Sequence, residues 1–128
     1  MKLLLDTHAF IWWDSDPSKL SSRVVSLCQN RANLVLLSVV SVWEMQIKHQ
    51  LGKLTLGLPL RELVETHKEV NDIQLLPVYL EHVLELENLP AVHTDPFDRL
   101  LVAQARVEGS ILLSHDSAFE DYPVAVTW

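Results

Sequence analysis

The sequence has one cysteine and no run of lysine or arginine residues in its 128 positions. The single Cys28 excludes a disulfide within the chain, which indicates a reducing compartment and a small buried thiol. Ten Lys and Arg residues against seventeen Asp and Glu residues leave a net charge of −7. Without a basic groove, the protein would need metal ions or local Arg and Lys side chains to hold a polyanion.

Long apolar runs are also missing. A membrane-spanning helix needs roughly 20 apolar residues, whereas the leucines at positions 3 to 5 are followed directly by Asp6. We find no secretory signal, repeat, linker or low-complexity segment, and expect a cytoplasmic protein without membrane attachment. With 48% hydrophobic residues, residues 1–128 are expected to form one domain with a proper core.

Strand-like and helix-like segments alternate along the chain. Strands are predicted at 1–5, 33–40, 73–78, 110–114 and 124–128, and helices at 17–32, 41–52, 60–70, 79–90 and 96–108. Residues 53–59 are a connector, and the valines that end the second strand could instead lead into the helix that follows. Apolar strands separated by helices are typical of a parallel sheet in an α/β sandwich. The last strand is expected at an edge of that sheet.

Four acidic residues occupy related places in this predicted fold. Asp6 and Asp116 follow strands, and Glu44 and Asp98 lie in the first turns of helices. Ligands of open α/β sheets bind beyond the carboxyl ends of the strands, so we expect the four carboxylates to converge there. Their mutual repulsion would raise their pKa values unless cations bound among them. Ligand sets made only of oxygen favour hard cations such as Mg²⁺ or Mn²⁺.

Each acid also has a structural interpretation. Ser41 to Glu44 has the spacing of a capping box, in which the serine and the glutamate satisfy backbone N–H groups of a helix start. Asp95 before Pro96 has the pattern of an N-cap, and the dipole of the same helix favours an anion such as Asp98 in its first turn. Asp6 and Asp116 could simply form turns after strands.

Four segments carry a resemblance to a known family. In order and spacing, "LLLDTHAFIWW", "SVVSVWEMQIKHQLGKL", "HTDPFDRLLVAQA" and "ILLSHD" resemble the PIN-domain nucleases, and most closely the VapC-like toxins of bacterial toxin–antitoxin pairs. The resemblance covers essentially the whole chain. It implies a three-layer α/β/α sandwich around a parallel sheet, and a Mg²⁺- or Mn²⁺-dependent endoribonuclease that acts on RNA. It also implies a VapB-like antitoxin partner, and a homodimer or a hetero-oligomer with that antitoxin.

The resemblance also implies which residues form the site. Asp6, Glu44, Asp98 and Asp116 match the family's acidic residues as catalytic and metal ligands, with Asp6 in direct contact with the metal. Asp98 is preferred to Asp95, which is expected to cap its helix. Thr7 and Ser114 occupy positions where family members place small hydroxyl residues near the site, although turn hydrogen bonds are an equal alternative. Cleavage by a metal-activated water would leave a 5′-phosphate and a 3′-hydroxyl.

Several nearby side chains have more than one interpretation. His8, His93 and His115 could be proton shuttles or metal ligands, while His49, His67 and His82 are expected to be partly exposed helix residues. Arg99 could bind a phosphate or pair with Asp95, and Lys48 is the other basic residue near the site. Trp12, Trp13 and Trp43 could stack on bases, or pack in the core or at a dimer contact.

Two further function classes stay open from the sequence. A phosphoacceptor receiver domain is also a small acidic α/β sandwich that binds Mg²⁺, but it needs an acceptor Asp after the third strand, where "LLPVYL" has none. A catalytically inactive PIN-like binding module would keep the fold without the reaction. Metal-dependent cleavage of RNA separates an active nuclease from such a module.

Overall fold

The computed structural model describes residues 1–128, which form five parallel strands and six α-helices. The strands are β1 (Lys2–Leu5), β2 (Leu34–Ser38), β3 (Gln74–Leu76), β4 (Ile111–Leu113) and β5 (Val126–Thr127). The helices are α1 (Thr7–Ser15), α2 (Ser22–Gln29), α3 (Val39–Gln50), α4 (Leu60–Asn71), α5 (Leu80–Glu85) and α6 (Pro96–Glu108). Short 3-10 turns lie at Pro17–Lys19, Leu86–Asn88 and Ser117–Asp121.

The sheet has the strand order β3-β2-β1-β4-β5, and every pair of neighbours is parallel. Successive strands proceed outward from β1 to β3, after which the chain returns to place β4 on the other side of β1. A receiver domain has the order 2-1-3-4-5, so the observed order excludes the receiver alternative. The expected position of β5 at an edge of the sheet is confirmed.

Helices cover both faces of the sheet, which gives the expected three-layer α/β/α sandwich. Alternation along β1 directs Leu3 and Leu5 into a core shared with α1 to α4, and Leu4 into a core shared with α6. All three leucines are fully buried. A run of leucines buried on both faces is the pattern of a central parallel strand, which needs no polar face.

Helix α1 was not predicted from the sequence, although its start has a clear cause. Asp6 is its N-cap and accepts a hydrogen bond from the Ala9 N–H at 2.6 Å. An Asp before the first turn is a standard helix-start signal. The apolar residues of "THAFIWW" do not form one stripe, because α1 packs into the core through Phe10 and also through the partly buried Trp12 and Trp13. The usual helical periodicity is therefore weak here.

Helix α3 begins at Val39, which confirms the alternative in which the valines of the second strand lead into the helix. Its N-cap is Ser38, whose Oγ accepts from the Val40 N–H at 3.0 Å. The capping box proposed for Ser41 and Glu44 is therefore wrong, because the helix starts three residues earlier. Glu44 lies in the second turn of α3 rather than the first.

The predicted ends of α6 are confirmed. Asp95 caps the helix through its Oδ1, which accepts from the N–H groups of Phe97 and Asp98 at 2.9 and 3.2 Å. Pro96 occupies the first helical position, where its missing N–H costs nothing. Gly109 ends the helix with φ of 64°, a left-handed conformation that glycine adopts most easily.

Two histidines are more buried than expected. His67 is 8% exposed, with Nε2 3.0 Å from Asp14 Oδ1, and His82 is fully buried, with Nε2 2.8 Å from Glu108 Oε2. Both lie on the inner faces of their helices, where polar side chains are kept only when they have partners. The expectation of partly exposed side chains is wrong for these two residues.

None of the six helices combines the length and the apolar character that crossing a membrane requires.

Candidate functional site

The candidate site lies at the carboxyl end of the sheet, between β1 and β4. The strand order reverses direction at this point, and such switch points leave a crevice outside the strand ends where ligands bind in open α/β sheets. Asp6 follows β1 directly, and Asp116 follows β4 by three residues. The backbone N–H of Asp6 donates to the carbonyl of Leu113 at 3.1 Å, which holds the two strand ends together.

Asp6 is the most constrained acid of the site, since it is only 4% exposed. Ser114 Oγ donates to its Oδ2 at 2.5 Å, and the Ala9 N–H donates to its Oδ1. Burial raises the pKa of this carboxyl above its ordinary value of 3.8, against the lowering effects of these two hydrogen bonds and of His8. The nearby charge of Asp116 raises it further. The protein therefore holds Asp6 in a fixed orientation at an electrostatic cost.

Ser114 has a definite role at this site. In addition to its bond to Asp6, its Oγ accepts from the Asp116 N–H at 3.0 Å, so one hydroxyl links the two acids. Asp116 in turn accepts from the Ala118 N–H at 2.9 Å through Oδ1. Thr7 Oγ1 donates to Ser41 Oγ at 3.0 Å, in a buried contact between α1 and α3. The sequence suggested the positions of Thr7 and Ser114 but not these partners.

The pKa of Asp98 shows that several other acids lie near it. Burial raises the pKa of Asp98 to about 7, helped by the charges of Asp95, Glu44, Asp116 and Asp6 in that order. The four other carboxylates therefore lie close enough to Asp98 for their charges to act on it in a partly desolvated region.

Glu44 reaches the site from α3 and has a basic partner. Lys48 Nζ lies 3.1 Å from Glu44 Oε2, one helical turn further along. The ring of Trp43 packs edge-on against Phe97 with 4.9 Å between centroids, which joins α3 to the first turn of α6. This contact ties together the two helix segments that carry Glu44 and Asp98.

The four acids fit a hard divalent cation, because they offer carboxylate oxygens, the donors that such cations prefer. No three His, Cys, Asp or Glu side chains in the structure lie close enough together to hold an ion already. The four acids therefore lie near one another, but their oxygens do not form a coordination shell. Asp6, Glu44, Asp98 and Asp116 are the acids here that could contribute ligands to such a cation.

Other predicted side chains divide between the site and the surrounding structure. His8 and His115 line a cleft of about 200 Å³ together with Asp6, Trp12 and Asp116. His93 lies elsewhere, with Nε2 3.2 Å from Asp121 Oδ2.

Arg99 and the remaining tryptophans lie outside this cleft. Arg99 does not pair with Asp95, because its guanidinium donates to the carbonyl of Pro90 at 2.8 Å. Trp13 packs against His67, and Trp43 is 58% exposed beside Phe97.

Two residues near the cleft were missed by the sequence reasoning. Trp128 lies 5.6 Å from Trp12 and 5.4 Å from His115 between ring centroids. Lys19 Nζ lies 5.9 Å from the centroid of the Trp12 ring. No local pattern marks either residue, since Trp128 is brought there by the pairing of β5 with β4.

The raised pKa of Asp98 predicts a pH-dependent stability for the metal-free protein. With a folded pKa of about 7 against an ordinary 3.8, the folded state keeps a proton that the unfolded state has lost. The free energy of unfolding should therefore decrease as pH rises from about 4 to about 7. Chemical denaturation with a chelator present measures this slope, which should be smaller in Asp98→Asn. Glu69→Gln, an exposed change on α4, is the control, and an unchanged slope in Asp98→Asn would contradict the assignment.

Comparison with known proteins agrees with this geometry. The family model described as PIN domain matches residues 3–125. The fold is similar to VapBC2 from Rickettsia felis bound to a promoter DNA fragment, with a TM-score of 0.76, 14% identity and coverage of 99% of this chain and 98% of the other. It is also similar to DNA-bound VapBC from Salmonella typhimurium, with a TM-score of 0.73, 15% identity and coverage of 99% and 97%.

A third structure, FitAcB from Neisseria gonorrhoeae, has a TM-score of 0.62 at 19% identity and covers 98% of this chain and 96% of its own. No curated protein sequence matches the chain. The family model spans almost the whole sequence, and the neighbouring structures share its fold over nearly their full length. The resemblance seen in the four sequence segments is confirmed, and the chain belongs to the PIN domain family.

Proposed function

We propose that residues 1–128 form one nuclease domain, a cytoplasmic Mg²⁺- or Mn²⁺-dependent endoribonuclease that serves as the toxin of a toxin–antitoxin pair. The observation that carries this proposal is the placement of Asp6 and Asp116 in one cleft at the sheet's switch point. Burial, and then the charges of Asp95, Glu44, Asp116 and Asp6, raise the pKa of the nearby Asp98 to about 7. Such repulsion is costly unless a cation relieves it, and a divalent cation would do so. Membership of the PIN domain family supports the nuclease chemistry.

The roles of the chain's own residues follow from their positions. Asp6, held by Ser114 and by the Ala9 N–H, presents a fixed carboxylate as a ligand. Asp116 lines the same cleft as Asp6, and the charges of both, together with that of Glu44, act on Asp98. We assign to these acids the orientation of a water molecule for in-line attack on a phosphodiester. A bound metal would supply a lowered pKa for that water and neutralise charge on the phosphate. No serine or cysteine here has the His and Asp partners of a covalent nucleophile, which favours direct hydrolysis.

Cleavage of RNA tests the proposal directly. The purified protein is incubated with total RNA and with a single-stranded oligoribonucleotide, in Mg²⁺, in Mn²⁺ and with a chelator. We expect new 5′-phosphate ends that appear with metal and are absent with the chelator. A folded protein that binds RNA but produces no new ends in either metal would instead be the inactive binding module.

We also propose a VapB-like antitoxin as partner, with the chain forming a homodimer or a hetero-oligomer with it. An acidic pocket on a protein of net charge −7 would attract an Arg side chain, because a guanidinium pairs with carboxylates in bidentate geometry. The partner is sought as the product of the neighbouring reading frame, and the size of the complex is measured by light scattering. Its affinity should fall in the Asp6→Asn, Asp98→Asn variant and in high Mg²⁺ at constant ionic strength. An affinity indifferent to both would rule out this electrostatic contact.

A further inference from the structure

One cleft at the candidate site is lined by two carboxylates and three aromatic rings. Asp6 and Asp116 belong to the candidate site, while His8, Trp12 and His115 provide aromatic surface next to them. Its volume of about 200 Å³ is below the roughly 300–1,000 Å³ of pockets for drug-sized ligands. The cleft therefore has room for a single ring system rather than for a longer ligand.

The aromatic wall is built from distant parts of the chain. Trp12 comes from α1, and its ring centroid lies 6.0 Å from that of His8 and 6.5 Å from that of His115. Trp128 follows β5 and packs edge-on against Trp12, while its plane lies only 31° from that of His115. Trp12 packs against Trp128 and the core, and it is partly buried there while it also lines the cleft.

The charges around the cleft select which part of a nucleotide can enter. Without a bound cation the two carboxylates repel phosphate groups, but with or without one they can accept hydrogen bonds from the amino groups of nucleobases. Lys19 Nζ, which forms no ion pair with an acidic side chain, lies 5.9 Å from the Trp12 ring. A cation in that position can attract the backbone phosphate of a nucleotide whose base lies on the ring.

From this juxtaposition we propose that the cleft binds one unpaired nucleobase of the RNA, stacked on Trp12, next to the phosphate presented to Asp6 and Asp116. The inference rests on the proposed nuclease function and deepens it, because it makes a single-stranded region of RNA the substrate. A base inside a duplex is stacked on both sides and cannot reach the ring. Aromatic stacking is also tolerant of sequence, since every base has a flat face.

Binding without cleavage tests the proposal. The probe is a fluorescein-labelled single-stranded oligoribonucleotide, used with the chelator present, and its affinity is measured by fluorescence anisotropy. We expect Trp12→Ala to weaken binding about tenfold or more, while Trp12→Phe keeps most of the affinity because the ring is retained. Tyr79→Ala changes an exposed ring that packs against His82 and does not line the cleft, so it should have no such effect. Full affinity in Trp12→Ala, or an equal loss in Tyr79→Ala, would overturn the assignment.

A second measurement uses the unchanged protein, so it does not depend on the folding of a variant. A series of oligoribonucleotides is made in which the base is removed from one position at a time. One position should show a clear loss of affinity with the wild-type protein. A uniform small effect at every position in the wild-type protein would show that no base is held in the cleft.

The two proposals can fail separately. If the base-removal series shows one sensitive position and the protein cleaves no RNA in Mg²⁺ or Mn²⁺, the stacking site stands and the nuclease function is wrong. If RNA is cleaved and no position is sensitive, the nuclease function stands and the stacking site is wrong.

Discussion

Asp6→Asn is expected to abolish metal-dependent RNA cleavage while the fold survives. Replacing even a residue that only supports a metal ligand costs roughly 10- to 100-fold in activity or metal affinity, so loss of the ligand charge itself should cost at least about 100-fold. Asparagine still offers an oxygen to the Ala9 N–H, which keeps the cap of α1. Burial of a neutral amide also avoids the desolvation that raises the pKa of Asp6.

Asp95→Asn is the matched control for this experiment. Asp95 is exposed and caps α6 by accepting from Phe97 and Asp98, a role that asparagine performs about equally well. Initial cleavage rates are measured at saturating metal, with thermal melting as the check on folding. Wild-type rates in a folded Asp6→Asn protein, or equal losses in the two variants, would refute the assignment of Asp6.

Saturation with Mn²⁺ is expected to raise the melting temperature by about 10 °C. A ligand that binds only the folded state at 100 times its dissociation constant adds about 2.7 kcal/mol to the free energy of unfolding. For a chain of this size each kcal/mol shifts the midpoint by roughly 4 °C. The gain has a local cause, since a cation relieves the repulsion around Asp98.

The Glu44→Gln, Asp98→Asn variant should lose most of this response. It should also be more stable than the wild type without metal, because two of the four mutually repelling charges are gone. Glu69→Gln removes one exposed charge on α4 away from these acids and should respond like the wild type. Scanning calorimetry with and without Mn²⁺ provides the comparison, and a full response in the double variant would place the metal outside this pocket.

Much of the fold follows from local pattern in the sequence. Two elements were predicted correctly because each has a short-range cause. The three leucines predicted strand β1, and Asp95, Pro96 and Gly109 predicted the ends of helix α6. Helix α1 was missed because its tryptophans and Ile11 surround it with apolar surface instead of marking one face. The start of α3 was ambiguous since β2 runs into it without a connecting loop.

The sequence predicted which acids lie near one another, but it did not predict the side chains that orient them. Asp6 and Asp116 could be placed because carboxyl ends of parallel strands meet at one edge. The partners that orient them could not, because Ser114 reaches Asp6 across 108 positions of sequence. The ring of Trp128 depends in the same way on the register of β5, which no local spacing encodes.

The central position of β1 also determines when the protein acquires its site during synthesis. β1 is synthesised before its neighbour β4, which begins only at Ile111. Contacts between such distant segments form late, because a long loop must close before they can be made. A nascent chain whose residues 111–116 have not yet emerged from the ribosome has Asp6 without Ser114 or Asp116. Translation therefore has to proceed from Asp6 to beyond Asp116 before these acids can come together.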